Sequence, residues 1–267
     1  MKFKNDLLHR YISLAPLALA FERYLECQIF LDLSLERPIL DLGCGEGLFA
    51  NILFSEKIDT GIDPNPRELQ RARQLDSYDE LIQCFGDNIP KPDGSYMTIF
   101  SNSALEHISN LSPVLQEVFR LLSVGGVFYF TVPSDKFDRY SVIYKILSLL
   151  GSDSWADKYR KFYNHFWRHY HYHPLEKWEE LIRAHGFEIS QSFEYDPETI
   201  CRTNDFLAPF GFIPFLIKKL TNRWVLLPSL RGFLIKPFIP GFLKTLKNGY
   251  RAEEGGLIFI AAKKVNR

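Results

Sequence analysis

The stretch Ile39-Leu40-Asp41-Leu42-Gly43-Cys44-Gly45-Glu46-Gly47 reads as a buried strand that runs into a turn with glycine at alternate positions, then into a helix from Leu48 to Ser55. Glycines in such a turn let the backbone pass close to a ligand with no Cβ in the way. The helix behind it aims its free N–H groups at whatever occupies the turn. This arrangement binds a nucleotide-like small molecule. Strand and helix go on alternating through residue 133, which implies a parallel sheet with helices on both faces.

Two ligands compete on this pattern, beside a plain glycine turn that binds nothing. A dinucleotide calls for G-x-G-x-x-G and an acid about 20 residues on. Here the spacing is G-x-G-x-G, with Leu48 where a third glycine would stand. Asp41, just inside the turn, would repel a pyrophosphate and suits a cationic ligand. S-adenosylmethionine carries a sulfonium and an ammonium and no phosphate.

The downstream residues favour the cation. Thr60-Gly61-Ile62-Asp63 reads as the end of a second strand, placing an acid 18 residues after Gly45, where it can accept from both hydroxyls of a ribose. Asn65-Pro66-Arg67-Glu68 opens a helix in the manner of a capping box. Leu81 to Gly86 reads as a third strand followed by Asp87-Asn88-Ile89, and Met97 to Phe100 as a fourth followed by Ser101-Asn102-Ser103. Polar residues and glycines thus gather at the carboxyl ends of successive strands, where open parallel sheets bind ligands.

With these motifs in place the chain resembles the class I S-adenosylmethionine-dependent methyltransferases, of the small-molecule, Rossmann-like type. The resemblance runs from about Ile39 to Phe193 and resumes at Gly256 to Lys263. It rests on the glycine motif, on Pro90 to Tyr96 with Ser101 to Ile108, and on Leu121-Leu122-Ser123-Val124-Gly125-Gly126-Val127-Phe128. Tyr96-Met97 departs from the Phe-Asp common before the family's fourth strand, which bears on local packing. The resemblance implies a doubly wound, mostly parallel seven-stranded α/β sheet. It also implies roles: Gly43, Cys44, Gly45 and Gly47 around the methionine half of the cofactor, and Asp41 near its ammonium. Asp63 would take the ribose hydroxyls, Asp87 the adenine amino group, Asn88 and Ile89 would flank the ring, and Asn102 and Ser103 would lie near the methyl end.

The 267 residues, 46% of them hydrophobic, suit a single methyltransferase domain over 1–267 with insertions. Cys27, Cys44, Cys84 and Cys201 have no metal or redox spacing, which points to a reducing compartment. Lys2, Lys4 and the apolar run Ile12 to Ala20 imitate a signal peptide, but Asp6, His9, Arg10, Ser13 and Pro16 interrupt that scheme. The run reads instead as a helix continuing through Glu26, with Pro16 at an early position, flanking the cofactor site. The expected location is cytoplasmic. Helices are expected over Ser112–Ser123 and Pro174–His185, and strands over Phe187–Tyr195 and Gly256–Lys263, the last antiparallel.

Two insertions bear on the acceptor. Residues 134–173 form an aromatic lid, with ten Tyr, Trp and Phe between Tyr140 and Tyr172 and with His165, His169, His171 and His173. His107, His169 and His171 are the candidates for a general base; no acid lies within the histidine cluster, so no metal is expected there. The stretch 197–254, between the last two strands, is a basic and apolar insertion. Within 206–252 lie eight Lys and Arg and no acid, in a chain of 32 bases and 32 acids. Its longest uncharged run, Phe206 to Ile217, is too short for a span of about 20 residues. Short amphipathic pieces of this kind lie on an anionic leaflet, or pack as a cap or an oligomer contact. Nucleic acid is not expected as a partner, and the oligomeric state is left open. The expected reaction is methyl transfer from S-adenosylmethionine to a small, hydrophobic or lipid-like acceptor at a membrane surface. The alternative is a catalytically degenerate cofactor-binding protein that acts as a membrane or partner adaptor.

Overall fold

The computed structural model describes residues 1–266. The chain opens with α1 (Leu7–Leu14) and α2 (Leu17–Leu31). It then alternates through β1 (Ile39–Leu42), α3 (Leu48–Leu53), β2 (Ile58–Ile62), α4 (Pro66–Leu75), β3 (Tyr78–Ile82), β4 (Tyr96–Asn102), α5 (Leu111–Leu121) and β5 (Leu122–Pro133). Next come α6 (Val142–Leu149), α7 (Asp153–Trp167), α8 (Leu175–Ala184), β6 (Phe187–Tyr195), α9 (Glu198–Leu207), α10 (Phe212–Thr221), α11 (Pro228–Ile235), α12 (Ile239–Leu246) and β7 (Leu257–Lys264).

The seven strands form one sheet in the order β3-β2-β1-β4-β5-β7-β6. β1 pairs in parallel with both β2 and β4, so the strand order reverses there and a crevice opens beyond its carboxyl end. β7 slots antiparallel between β5 and β6, as expected. The sheet is mostly parallel and carries helices on both faces, which is the doubly wound class I arrangement. All four residues of β1 are buried, as a strand covered on both faces requires. One core packs α1, α2 and α3 onto one face, around Tyr11, Phe30, Phe54 and Phe100. The other packs α5 and α8 onto the opposite face, around Val118, Phe128, Phe130 and Trp178.

Two expectations are corrected. The third strand is Tyr78–Ile82, and Gln83 to Gly86 is loop. β3 is an edge strand with Asp79 and Glu80 exposed, so it lacks the apolar run that draws the eye to Leu81–Gly86. Ile12 to Glu26 is also not one helix. Ala15 is extended (φ −137°, ψ 164°) and Pro16 precedes α2, because a residue before proline avoids the helical region.

Trp178 of α8 is fully buried and donates its indole N–H to the Pro133 carbonyl at 3.3 Å, joining α8 to the end of β5. Trp178→Ala should therefore cost about 3–5 kcal/mol of stability, read from urea unfolding midpoints at constant m.

Candidate active site

The turn after β1 is set by three left-handed glycines: Gly43 (φ +79°), Gly45 (φ +54°) and Gly47 (φ +73°). A Cβ on Gly43 would lie 2.7 Å from the Ala104 Cβ, while one on Gly45 would meet nothing within 4 Å. Gly43 packs against the structure, and Gly45 opens onto a cavity. The Gly43 and Cys44 N–H groups both donate to the Ile62 carbonyl, at 3.0 and 2.8 Å. The Gly45 N–H donates to Asp63 Oδ2 at 3.0 Å, and the Asn65 N–H to Asp63 Oδ1 at 2.8 Å. Burial raises the Asp63 pKa, and these two N–H groups oppose the rise.

The cavity has a volume of about 700 Å³ and lies beyond the carboxyl ends of β1 and β2. Its wall includes Gly43, Gly45, Asp63, Asp87, Ser103 and His107 among the residues expected at the site, which the fold therefore brings together. Glu46, Glu68, Phe85 and Lys218 also line it.

Other expected residues lie behind that wall. Asp41 is buried, accepts the Tyr78 hydroxyl at 2.7 Å and is not among the residues that line the cavity. Burial pushes its pKa up to about 7, against the hydrogen bond from Tyr78. Cys44 is buried, with its thiol pKa raised by burial. Gly47 caps α3, where a Cβ would press on Tyr78 and Ala72. The Ile89 N–H donates to Glu117 Oε1, its side chain is buried, and neither it nor Asn88 lines the cavity. Asn102 donates its amide to Glu26 Oε2 at 2.6 Å, and the Ser103 hydroxyl donates to Glu26 Oε1 at 2.9 Å.

Glu26 went unrecognised in the sequence. It is fully buried on α2 and also takes Arg23 at 2.7 Å on each oxygen and the Tyr195 hydroxyl at 3.2 Å. The available signal is an acid set between Leu25 and Cys27, in a helix that also carries Glu22, Arg23 and Gln28. The capping-box pattern gives Glu68 a place at the helix start. Asn65 does cap α4, by accepting the Arg67 N–H at 3.0 Å, but Glu68 turns to Arg71 and Lys218.

The basic insertion reaches this cavity. Lys218 of α10 lies 3.1 Å from Glu46 and 3.5 Å from Glu68, with its ammonium 4.4 Å from the centre of the Trp224 ring. The Trp224 indole donates to Glu46 Oε1 at 2.6 Å. α10 thus covers the rim of the cavity.

The lid histidines divide. The His171 Nε2 is held by the Ile108 carbonyl at 2.9 Å and its ring lies against Trp178, away from the wall. His169 sits beside His107, ring centres 5.5 Å apart. Burial lowers the pKa of both, that of His169 to about 4.

A family model described as a methyltransferase domain matches residues 17–192, more than half of the chain. Over 94 residues the chain is 30% identical to a malonyl-[acyl-carrier protein] O-methyltransferase of Enterobacter lignolyticus, covering 35% of this chain and 38% of that protein. Over 138 residues it is 29% identical to the sterol 24-C-methyltransferase erg-4 of Neurospora crassa, covering 48% and 36%. The chain thus spans little more than a third of these curated relatives' length. A solved geranyl diphosphate methyltransferase in complex with SAM has a TM-score of 0.54 at 17% identity, over 93% of this chain and 90% of that one. The fold is that of class I S-adenosylmethionine-dependent methyltransferases. The chain belongs to the methyltransferase domain family.

The Asp41 carboxyl is ionised in the unfolded chain above about pH 4 but resists ionisation in the fold up to about pH 7. Its ionisation penalty is absent at low pH and grows as pH rises through that window. Asp41→Asn should therefore gain stability on the unsubstituted protein steadily from pH 4 to pH 7, as measured by urea unfolding at each pH.

Proposed function

We propose that the cavity binds S-adenosylmethionine and that the protein passes its methyl group to a small, hydrophobic or lipid-like acceptor drawn from a membrane surface. The observation that carries the reading is the charge of the wall: Glu46, Asp63, Glu68 and Asp87 against one base, Lys218. Such a wall repels a pyrophosphate and suits a sulfonium and an ammonium. Asp63 is pre-positioned by two backbone N–H groups and retains lone pairs for ribose hydroxyls. Asp87 accepts from the adenine amino group, the open backbone at Gly45 passes the methionine half, and Ser103 and His107 border the methyl end. Asp41, Cys44 and Ile89 are buried and, like Gly47, Asn88 and Asn102, do not line the cavity.

S-adenosylmethionine, when bound, supplies an electrophilic methyl. An electron pair of the acceptor would form the new bond as the carbon–sulfur pair returned to sulfur, and a proton lost by the acceptor would pass to solvent. The chain's part is to orient the pair and exclude water; Lys218 of the insertion lines the cavity, and no residue of 134–173 does. The relative named for a sterol supports a lipid-like acceptor, and those named for malonyl-[acyl-carrier protein] and geranyl diphosphate support a small or lipid-like one.

The insertion supports the membrane source. No described helix is long and apolar enough to cross a membrane. Phe212, Ile213, Leu220, Phe233, Leu234 and Phe238 are all more than 60% exposed or at that level, and Lys219, Arg223, Lys236 and Lys244 are exposed among them. Apolar side chains edged with ammonium and guanidinium groups match an anionic leaflet, each base contributing roughly 1 kcal/mol near the surface.

Asp63→Ala should weaken S-adenosylhomocysteine binding by tenfold or more in calorimetric titration, since two charge-assisted hydrogen bonds are lost. Unchanged affinity would exclude the ribose role. In sedimentation, vesicles rich in phosphatidylserine should retain the protein and phosphatidylcholine vesicles should not; equal, negligible binding to both would remove the membrane from the account.

A further inference from the structure

Three ligand-type side chains from two loops distant in sequence meet beside the cavity. Glu106 and His107 follow β4, and His169 follows α7, yet one ligand atom from each lies within 4.8 Å of the other two. The loops are pinned together by the Tyr170 N–H, which donates to the Glu106 carbonyl at 2.8 Å. Glu106 is 3% exposed, its Oε2 is buried and has no hydrogen-bond partner, and His107 Nε2 stands 3.7 Å from its Oε1. A buried carboxylate oxygen without a partner is costly unless something else satisfies it.

Both imidazoles are set to offer Nε2. His107 Nδ1 lies 3.2 Å from the Arg168 carbonyl oxygen, which can only accept, so the ring proton is on Nδ1. His169 Nδ1 lies 3.3 Å from Asn164 Oδ1. The Asn164 amide nitrogen is committed to Asp138 Oδ2 at 2.6 Å, and Asp138 in turn takes Arg160 at 2.9 Å. The chain Asp138–Asn164–His169 therefore also puts the proton on Nδ1. Carbonyl acceptors behind the far ring nitrogen are what orient metal-bound histidines. Arg23, the nearby cation, is already held by Glu26 at 2.7 Å and Glu22 at 3.8 Å.

We propose that Glu106, His107 and His169 bind one divalent transition-metal ion through a carboxylate oxygen and two Nε2 atoms. Two imidazoles and one carboxylate favour zinc, iron, cobalt or manganese over magnesium or calcium. Bonds of about 2.1 Å require the three ligand atoms to draw together from separations of up to 4.8 Å. His107 is also part of the cavity wall, so the ion's open positions adjoin the space assigned to the acceptor and take an oxygen of that molecule. Only this last step rests on the methyl-transfer reading; the ion site stands on the triad itself.

The test uses the full, untagged chain stripped with a chelator and titrated with ZnCl2 or MnCl2 in a calorimeter, and with CoCl2 for its visible absorption. One ion per chain is expected. Glu106→Gln and His169→Ala should each weaken binding by at least about 100-fold, and Asn164→Leu by roughly 10–100-fold. S-adenosylhomocysteine affinity of each variant reports that it is folded. Absence of saturable binding by the unsubstituted chain, or equal binding by folded variants, would overturn the site. An ion bound by a chain that does not bind S-adenosylhomocysteine would leave the site standing and remove the methyl-transfer reading.

Discussion

The junction of β1 and β2 holds the site together. The Ile62 carbonyl takes two N–H groups of the glycine turn, and the next residue, Asp63, takes a third. Three donors of one turn thus fix the end of the neighbouring strand. Gly43 is pressed against Ala104 and cannot carry a side chain without displacing the segment after β4. The turn, the acid and the β4 loop are locked as a unit before any ligand arrives, and the topological switch in the sheet leaves a crevice at that same place.

Around this unit, buried polar groups act as ties between distant elements. Glu26 gathers α2, β4 and β6 through Arg23, Asn102, Ser103 and Tyr195. Its charge is offset by the Arg23 guanidinium and by hydroxyl and amide donors, which is the condition for keeping a carboxylate inside a core. Lys218 and Trp224 do the same at the rim, linking the basic insertion to Glu46 and Glu68. The insertion therefore has two faces: one ion-paired over the cavity, the other exposing phenylalanine, leucine and lysine. The insertion thus touches both the cavity and an exposed apolar surface.

The alternation of strand and helix, the glycine turn, Asp63 and Asp87 were legible in the chain because each depends on local pattern. β3 was misplaced because an edge strand lacks the continuous apolar run of a central one. Asp41 belongs to the right motif, but its partner, Tyr78, sits in the strand that was misplaced. Glu26, Lys218 and the meeting of Glu106 with His169 depend on contacts across dozens of residues. The histidine cluster looked acid-free because its carboxylate comes from another loop, more than sixty residues earlier. Periodicity reports which face of an element is buried, and it is silent on which two loops will touch.

The central claim is that the crevice beyond β1 and β2 is the seat of S-adenosylmethionine. A crystal structure of the complex with S-adenosylhomocysteine tests it most directly. Both ribose hydroxyls should lie within about 3 Å of the Asp63 carboxylate, with the adenine amino group on Asp87 and the sulfur facing Ser103 and His107. A nucleoside seated elsewhere, or one whose ribose leaves Asp63 bound only to Gly45 and Asn65, would contradict it.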